Sequence, residues 1–236
     1  MALRAPGSAR LELSAVLALA LQAPALARVE SVSALNKVEA ARAQAFGGAA
    51  AAVGLDPTLV WLNPASTALV KDKSITLAGQ RGYFGEMTGQ GIWAMPFKSG
   101  KLFLGILYYD AGQVTLKASD GTRRVMNLQQ DFASAIGYSA ALSSNVASGF
   151  TFKGLRSQLF DSRAAYAFAG DGGVQVRLSD ALKTGLSVQN VGTRLKYSRE
   201  KINLPAALRA GFALGRRMRS LLVPEGQSYD TIVVVG

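Results

Sequence analysis

The chain has 236 residues and contains neither histidine nor cysteine. Those absences remove Ser-His and Cys-His nucleophile systems, the commonest metal sites, structural disulfides and a lipid anchor on cysteine. Lysine and arginine outnumber aspartate and glutamate by 26 to 15, a net charge of +11. The basic residues are scattered rather than gathered into a patch, which argues against nucleic acid as a partner. Carboxylates are few and lie on separate segments, so no acid/base pair follows from their spacing, and neither an enzyme activity nor a cofactor is expected.

Residues 1–27 predict an export signal. Arg4 and Arg10 form a basic start, Leu11 to Leu21 an apolar stretch broken only by Glu12 and Ser14, and Ala25-Leu26-Ala27 a small-x-small cleavage site. An ordinary amphipathic helix is the competing assignment, favoured by the charge of Glu12. No later segment approaches the ~18–20 apolar residues that a spanning helix needs. The most apolar later run, Ala49 to Ala52, is far shorter. If the exported chain enters a membrane, it does so as strands.

Residues 28–73 are alanine-rich and predict an irregular segment with short helical turns. Asp56-Pro57 and Asn63-Pro64 each set a capping side chain before a proline suited to the first helical position. Gly47-Gly48 lacks the Gly-Lys-Ser/Thr and the preceding strand of a phosphate loop.

From Ser74 the period changes to two. Phe132, Ile136, Tyr138 and Leu142 alternate with Ala133, Ala135, Gly137, Ser139 and Ala141; Leu182, Leu186 and Val188 alternate with Lys183, Gly185, Ser187 and Gln189; and Leu208, Phe212 and Leu214 alternate with Arg209, Gly211 and Gly215. Each predicts a strand with one apolar and one small or polar face. Between Ala164 and Leu178 one register persists through Asp171-Gly172-Gly173, which predicts a single long strand rather than two joined by a turn.

Tight turns are expected at Lys98-Ser99-Gly100, Ser143-Ser144-Asn145, Ser179-Asp180-Ala181 and Gly215-Arg216-Arg217, the last next to the one basic cluster, Arg216-Arg217-x-Arg219. Looser links are expected near 84–89, 118–131, 155–163 and 192–204. Short turns on the periplasmic side and longer loops outside are the habit of outer-membrane barrels, and a periplasmic N-terminus makes the Phe84–Thr88 link extracellular. The same alternation would serve a soluble β-sandwich. A face of Gly, Ala and Ser suits a crowded barrel interior better, and Tyr83, Phe84, Phe97, Tyr108, Tyr109 and Tyr197 near strand ends are candidates for interfacial girdles. The expectation is therefore an all-β, antiparallel up-and-down transmembrane barrel over 74–236. Lys153, Asp171, Gln175, Arg177 and Arg209 are its polar residues facing the lumen.

Ala41-Arg42-Ala43-Gln44-Ala45-Phe46-Gly47-Gly48-Ala49, then Val53-Gly54-Leu55-Asp56 and Trp61-Leu62-Asn63-Pro64-Ala65, resembles the N-terminal signature of the PorV/PorQ family of outer-membrane barrels, related to FadL-type transporters. Gly185 to Gly192, Leu204 to Gly211, Lys153 after a Gly-rich strand and Asp171-Gly172 within a strand are similar to that family too. The similarity extends from Ala41 to Leu214. It implies residence in the bacterial outer membrane and contact with its lipid. It also implies a secretion-shuttle or transport role, with secreted cargo proteins or hydrophobic small molecules as partners. Gly47, Gly48, Asp56, Asn63 and Pro64 would then shape a plug. Two departures stand out: Leu55-Asp56-Pro57 replaces a more common acidic pair, and the last residues, Tyr229 to Gly236, hold no terminal Phe or Trp. Roughly eight or nine strands are expected, against about fourteen in the family, which implies a small barrel or a truncated product. A soluble periplasmic β-protein acting as a binding module is the second functional expectation.

Overall fold

Alternation from Ser74 onward builds one antiparallel sheet of nine strands in a computed structural model that describes residues 33–36, 43–44, 50–83, 85–160, 164–197, 200–218 and 229–235. The expected signal at 1–27, Gly47 and Gly48 lie outside those residues. The strands are β1 (Ser74–Arg81), β2 (Met87–Phe97), β3 (Gly100–Asp110), β6 (Gln129–Ala141), β7 (Val146–Leu159), β8 (Ala165–Arg177), β9 (Leu182–Gly192), β12 (Ala207–Met218) and β13 (Tyr229–Val235). They pair in chain order, each with the next. Two small hairpins interrupt the meander: β4 (Gln113–Lys117) with β5 (Arg123–Asn127), and β10 (Leu195–Tyr197) with β11 (Glu200–Ile202).

An up-and-down order sends successive links to opposite ends. The links after β2, β6 and β8 are short. Those after β3 and β9 carry the two hairpins, so both hairpins leave the same end. We call this the hairpin end and the other the turn end.

The up-and-down antiparallel arrangement is as expected, but closure within this chain is not found. β1 and β13 are the two edges, and no ladder joins them among the described residues. The turn expected at Gly215-Arg216-Arg217 is also corrected. These residues belong to β12 and pair with Ile232, Thr231 and Asp230 of β13. Glycine beside two arginines suggested a turn, yet the cross-strand ladder overrides local composition. Likewise β7 extends to Leu159 through part of the link expected at 155–163, and the links at 118–131 and 192–204 contain paired strand.

The long strand expected over Ala164–Leu178 is found as β8. Its partner carries the irregularity. Gly170 faces Val191 and Gly172 faces Val188, so Gln189 and Asn190 together oppose Asp171. This is a bulge, in which an extra residue breaks alternation and re-aims a side chain. Asn190 takes φ 56° to make it, a left-handed conformation that asparagine tolerates better than most residues.

Residues 50–73 cover one face of the sheet, here called inner. The two expected helical starts are found as 3-10 turns, Pro57–Trp61 and Pro64–Thr67. Asp56 accepts from the Thr58 amide and Asn63 from the Ala65 amide. The segment lies so close that a Cβ on Gly185 would sit 2.1 Å from the Ala51 carbonyl oxygen, and one on Gly149 2.6 Å from the Pro64 carbonyl carbon. Glycine at these two positions is what lets backbone rest on backbone. Around them Val60, Trp61, Ile92, Phe103, Leu107 and Leu155 form a buried cluster.

An apolar outer face over a buried ion pair

The face of the sheet turned away from the covering segment is exposed and largely apolar. Ile75, Leu77, Ile106, Ile136, Phe152, Phe168 and Leu208 project from the outer face and are all exposed. Cross-strand rows continue this pattern: Ile75, Trp93, Leu104, Ile136 and Phe152 stand opposite one another in turn from β1 to β7. Among the described residues of β1 to β9 in this sheet, Arg81, Asp110 and Arg156 are the only charged side chains on this face, and all three sit at the hairpin end. Just inside Arg81 and Asp110 lies a row of Tyr108, Phe132 and Tyr166, which holds Arg156 between the last two. From Phe132 to Ala140 the outer face of β6 is free of charge. At about 3.3 Å per residue this is about 26 Å of strand, or about 20 Å of height at a tilt near 40°.

Of the aromatics expected near strand ends, Tyr83, Phe97 and Tyr108 are exposed. Phe84 lies outside the described residues. Tyr109 and Tyr197 are corrected: Tyr109 is buried on the inner face, and Tyr197 packs against the inner cluster. Adjacent residues of a strand point to opposite faces, so Tyr108 and Tyr109 cannot share a girdle.

Charge is instead found under the covering segment. Lys153 of β7 and Asp171 of β8 form an ion pair of 2.6 Å, with both side chains at or below 1 % exposure. The bulge completes it: Lys153 donates to Asn190 Oδ1 at 2.8 Å, and the Asn190 amide donates to Asp171 Oδ1 at 2.7 Å. The Asn190 side-chain amide then donates to the Pro205 carbonyl at 2.9 Å. The Lys153 ammonium also stands 5.5 Å from the centre of the Trp61 ring, close enough for a cation–π contact. A charged pair in such a place holds only if its remaining polar atoms find partners, and these neighbours supply them.

Gln189, the other bulge residue, accepts from Arg209 Nε at 2.8 Å and donates to the Trp61 carbonyl at 2.7 Å and to the Leu62 carbonyl. Ser187 donates to the same Leu62 carbonyl at 2.7 Å. Gln175 donates to the Ala51 and Val53 carbonyls, and Asn63 to those of Ala51 and Val174. Strand side chains thus satisfy the backbone of an irregular segment that has no ladder of its own. Arg177 is placed differently from the other four expected polar residues: it is exposed at the turn end and braces the Ser144 carbonyl.

No protein-family model matches this chain, and no curated protein matches its sequence.

Three inner residues were missed by sequence reasoning. Asn190 was hidden because Gln189-Asn190 breaks alternation. Asp131 accepts from the Ala34 amide at 3.2 Å, from Gln129 at 2.9 Å and from Ser157. Trp61 had looked like part of a motif rather than a partner for a cation. Among the described residues no group of three or more potential metal ligands gathers. The arrangement joins strand to strand and strand to covering segment.

Proposed function

We propose that this chain forms wall strands of a bacterial outer-membrane β-barrel of transport or secretion type, with residues 50–73 lying inside as a plug. The outer face carries this reading. It presents aliphatic and aromatic side chains across the sheet without a charge between the hairpin-end row and the turns, while the buried ion pair sits on the opposite face. Continuous exposed apolar surface of this extent is foreign to a soluble monomer and ordinary against lipid. The irregular segment suits the same reading, because non-helical backbone at membrane depth is tolerated where protein encloses it.

In hydrocarbon the free backbone groups of β1 and β13 would each cost several kcal/mol, so the wall is completed by further strands paired to these edges. The hairpin end faces the cell exterior and the turn end the periplasm. Transport or secretion rests on the resemblance to the PorV/PorQ family and FadL-type barrels. The lumen would pass hydrophobic small molecules or serve secreted cargo, and no catalytic role is assigned.

The test is fractionation and gel migration. The protein is expected in the outer-membrane fraction, and unheated samples in detergent should migrate differently from boiled ones. Recovery in the periplasmic soluble fraction, with one mobility under both treatments, would instead favour the soluble binding module.

A further inference from the structure

We propose that the two hairpins form a cationic surface that engages the phosphates of an anionic lipid headgroup layer. The inference rests on the membrane reading above and concerns a different part of the molecule.

Both hairpins leave the same end of the sheet. Each carries two cations directly opposite one another, Lys117 against Arg123 in the first and Lys196 against Lys201 in the second. Residues so paired project from the same side with their Cβ atoms about 4.5–5.5 Å apart, and like charges there are destabilising. All four side chains are exposed, and no ion pair among the described residues engages them. The adjoining Arg124 and Arg194 are exposed too. Of the two described carboxylates in these links, Asp120 is held by the amide and hydroxyl of Thr122, at 2.9 Å and 2.7 Å, and Glu200 pairs with Tyr197, on the side of the second hairpin opposite Lys196 and Lys201. A repulsion built twice at one end is relieved by an anion arriving from outside the chain.

The surroundings point to a headgroup layer as that anion's source. On the first hairpin Leu116 and Val125 are exposed among the cations, and Tyr83 and Phe160 are exposed at the same end of the sheet. The second hairpin lies with Leu195 buried in the inner cluster, and alternation turns Lys196 to the opposite side. Below both hairpins, past Arg81, Asp110 and Arg156, the outer face is apolar. Cations and apolar groups at one level, above an apolar band, match a layer where phosphates lie next to acyl chains.

The test uses the purified protein in zwitterionic micelles, offered phosphatidylglycerol or phosphatidylcholine, with retained lipid counted by native mass spectrometry. The wild type should keep phosphatidylglycerol in preference by on the order of tenfold. A variant carrying Lys117→Gln, Arg123→Gln, Lys196→Gln and Lys201→Gln should lose that preference. Its Tm without added lipid should be unchanged or higher, because the repulsion is gone. Equal retention of both lipids would overturn the proposal, as would a preference that survives in the variant. So would inorganic phosphate at the same concentration competing the lipid away, since that would mark a simple anion site. A protein monodisperse without detergent that still sediments with phosphatidylglycerol vesicles would sink the barrel and uphold this surface.

Discussion

Replacing Lys153 by methionine is expected to cost about 3–5 kcal/mol of stability. The size follows from what remains. Asp171 is buried with its partner gone, and the Asn190 amide alone cannot compensate a carboxylate shut away from water. Removing the charge should therefore recover most of the loss. In the double variant Lys153→Met with Asp171→Asn, the asparagine oxygen still accepts from Asn190, and more than half the deficit should return. Urea unfolding of the protein folded in lipid vesicles checks both values. A single variant as stable as wild type would mean that the pair contributes nothing to holding β7, β8 and the bulge together.

A charge on the opposite face should act through the solvent rather than through a partner. Ile136 lies in the middle of the outer face and is half exposed, in the same cross-strand row as Trp93 and Phe152. Against hydrocarbon, Ile136→Lys is expected to destabilise by about 2–4 kcal/mol, while Gln158→Lys at the hairpin end should cost no more than about 1 kcal/mol. In water the prediction differs, because an exposed surface substitution typically stays within about 0.5 kcal/mol. The dependence on depth separates lipid from water, and comparing unfolding midpoints of the two variants in the same vesicles reads it directly.

Much of the sheet was legible because strand alternation is a local property. Phe132 to Ser139 and Leu182 to Val188 show their faces residue by residue, and β8 persists through Asp171-Gly172-Gly173 as one strand. The capped prolines at 57 and 64 were legible for the same reason, since a cap needs only its neighbours. What failed was non-local. The bulge at Gln189-Asn190 exists because β8 is one residue shorter across that span, which β9 alone does not reveal. The Gly215–Arg217 strand is held by β13, a partner its composition does not announce. Tyr109 looked equivalent to Tyr108 until register put one side chain inside and the other out.

The candidate site divides in the same way. Lys153 and Asp171 are visible as polar residues inside alternating strands, but their juxtaposition depends on the β7–β8 register, and Asn190 reaches them only through the bulge. The covering segment's debt to Gln175, Ser187 and Gln189 was not legible either. These side chains bond to carbonyls more than a hundred residues earlier in the chain.

An outer face lying in hydrocarbon is the condition for a membrane wall, and Trp93 reports on that face most directly. The chain has two tryptophans, and Trp61 is buried beneath the sheet. Emission of wild type minus that of Trp93→Phe, in vesicles whose acyl chains carry bromine, isolates the outer residue. The expected difference spectrum is blue-shifted and strongly quenched by the brominated chains. A red-shifted signal, indifferent to bromine and quenched by iodide in the buffer, would contradict the account.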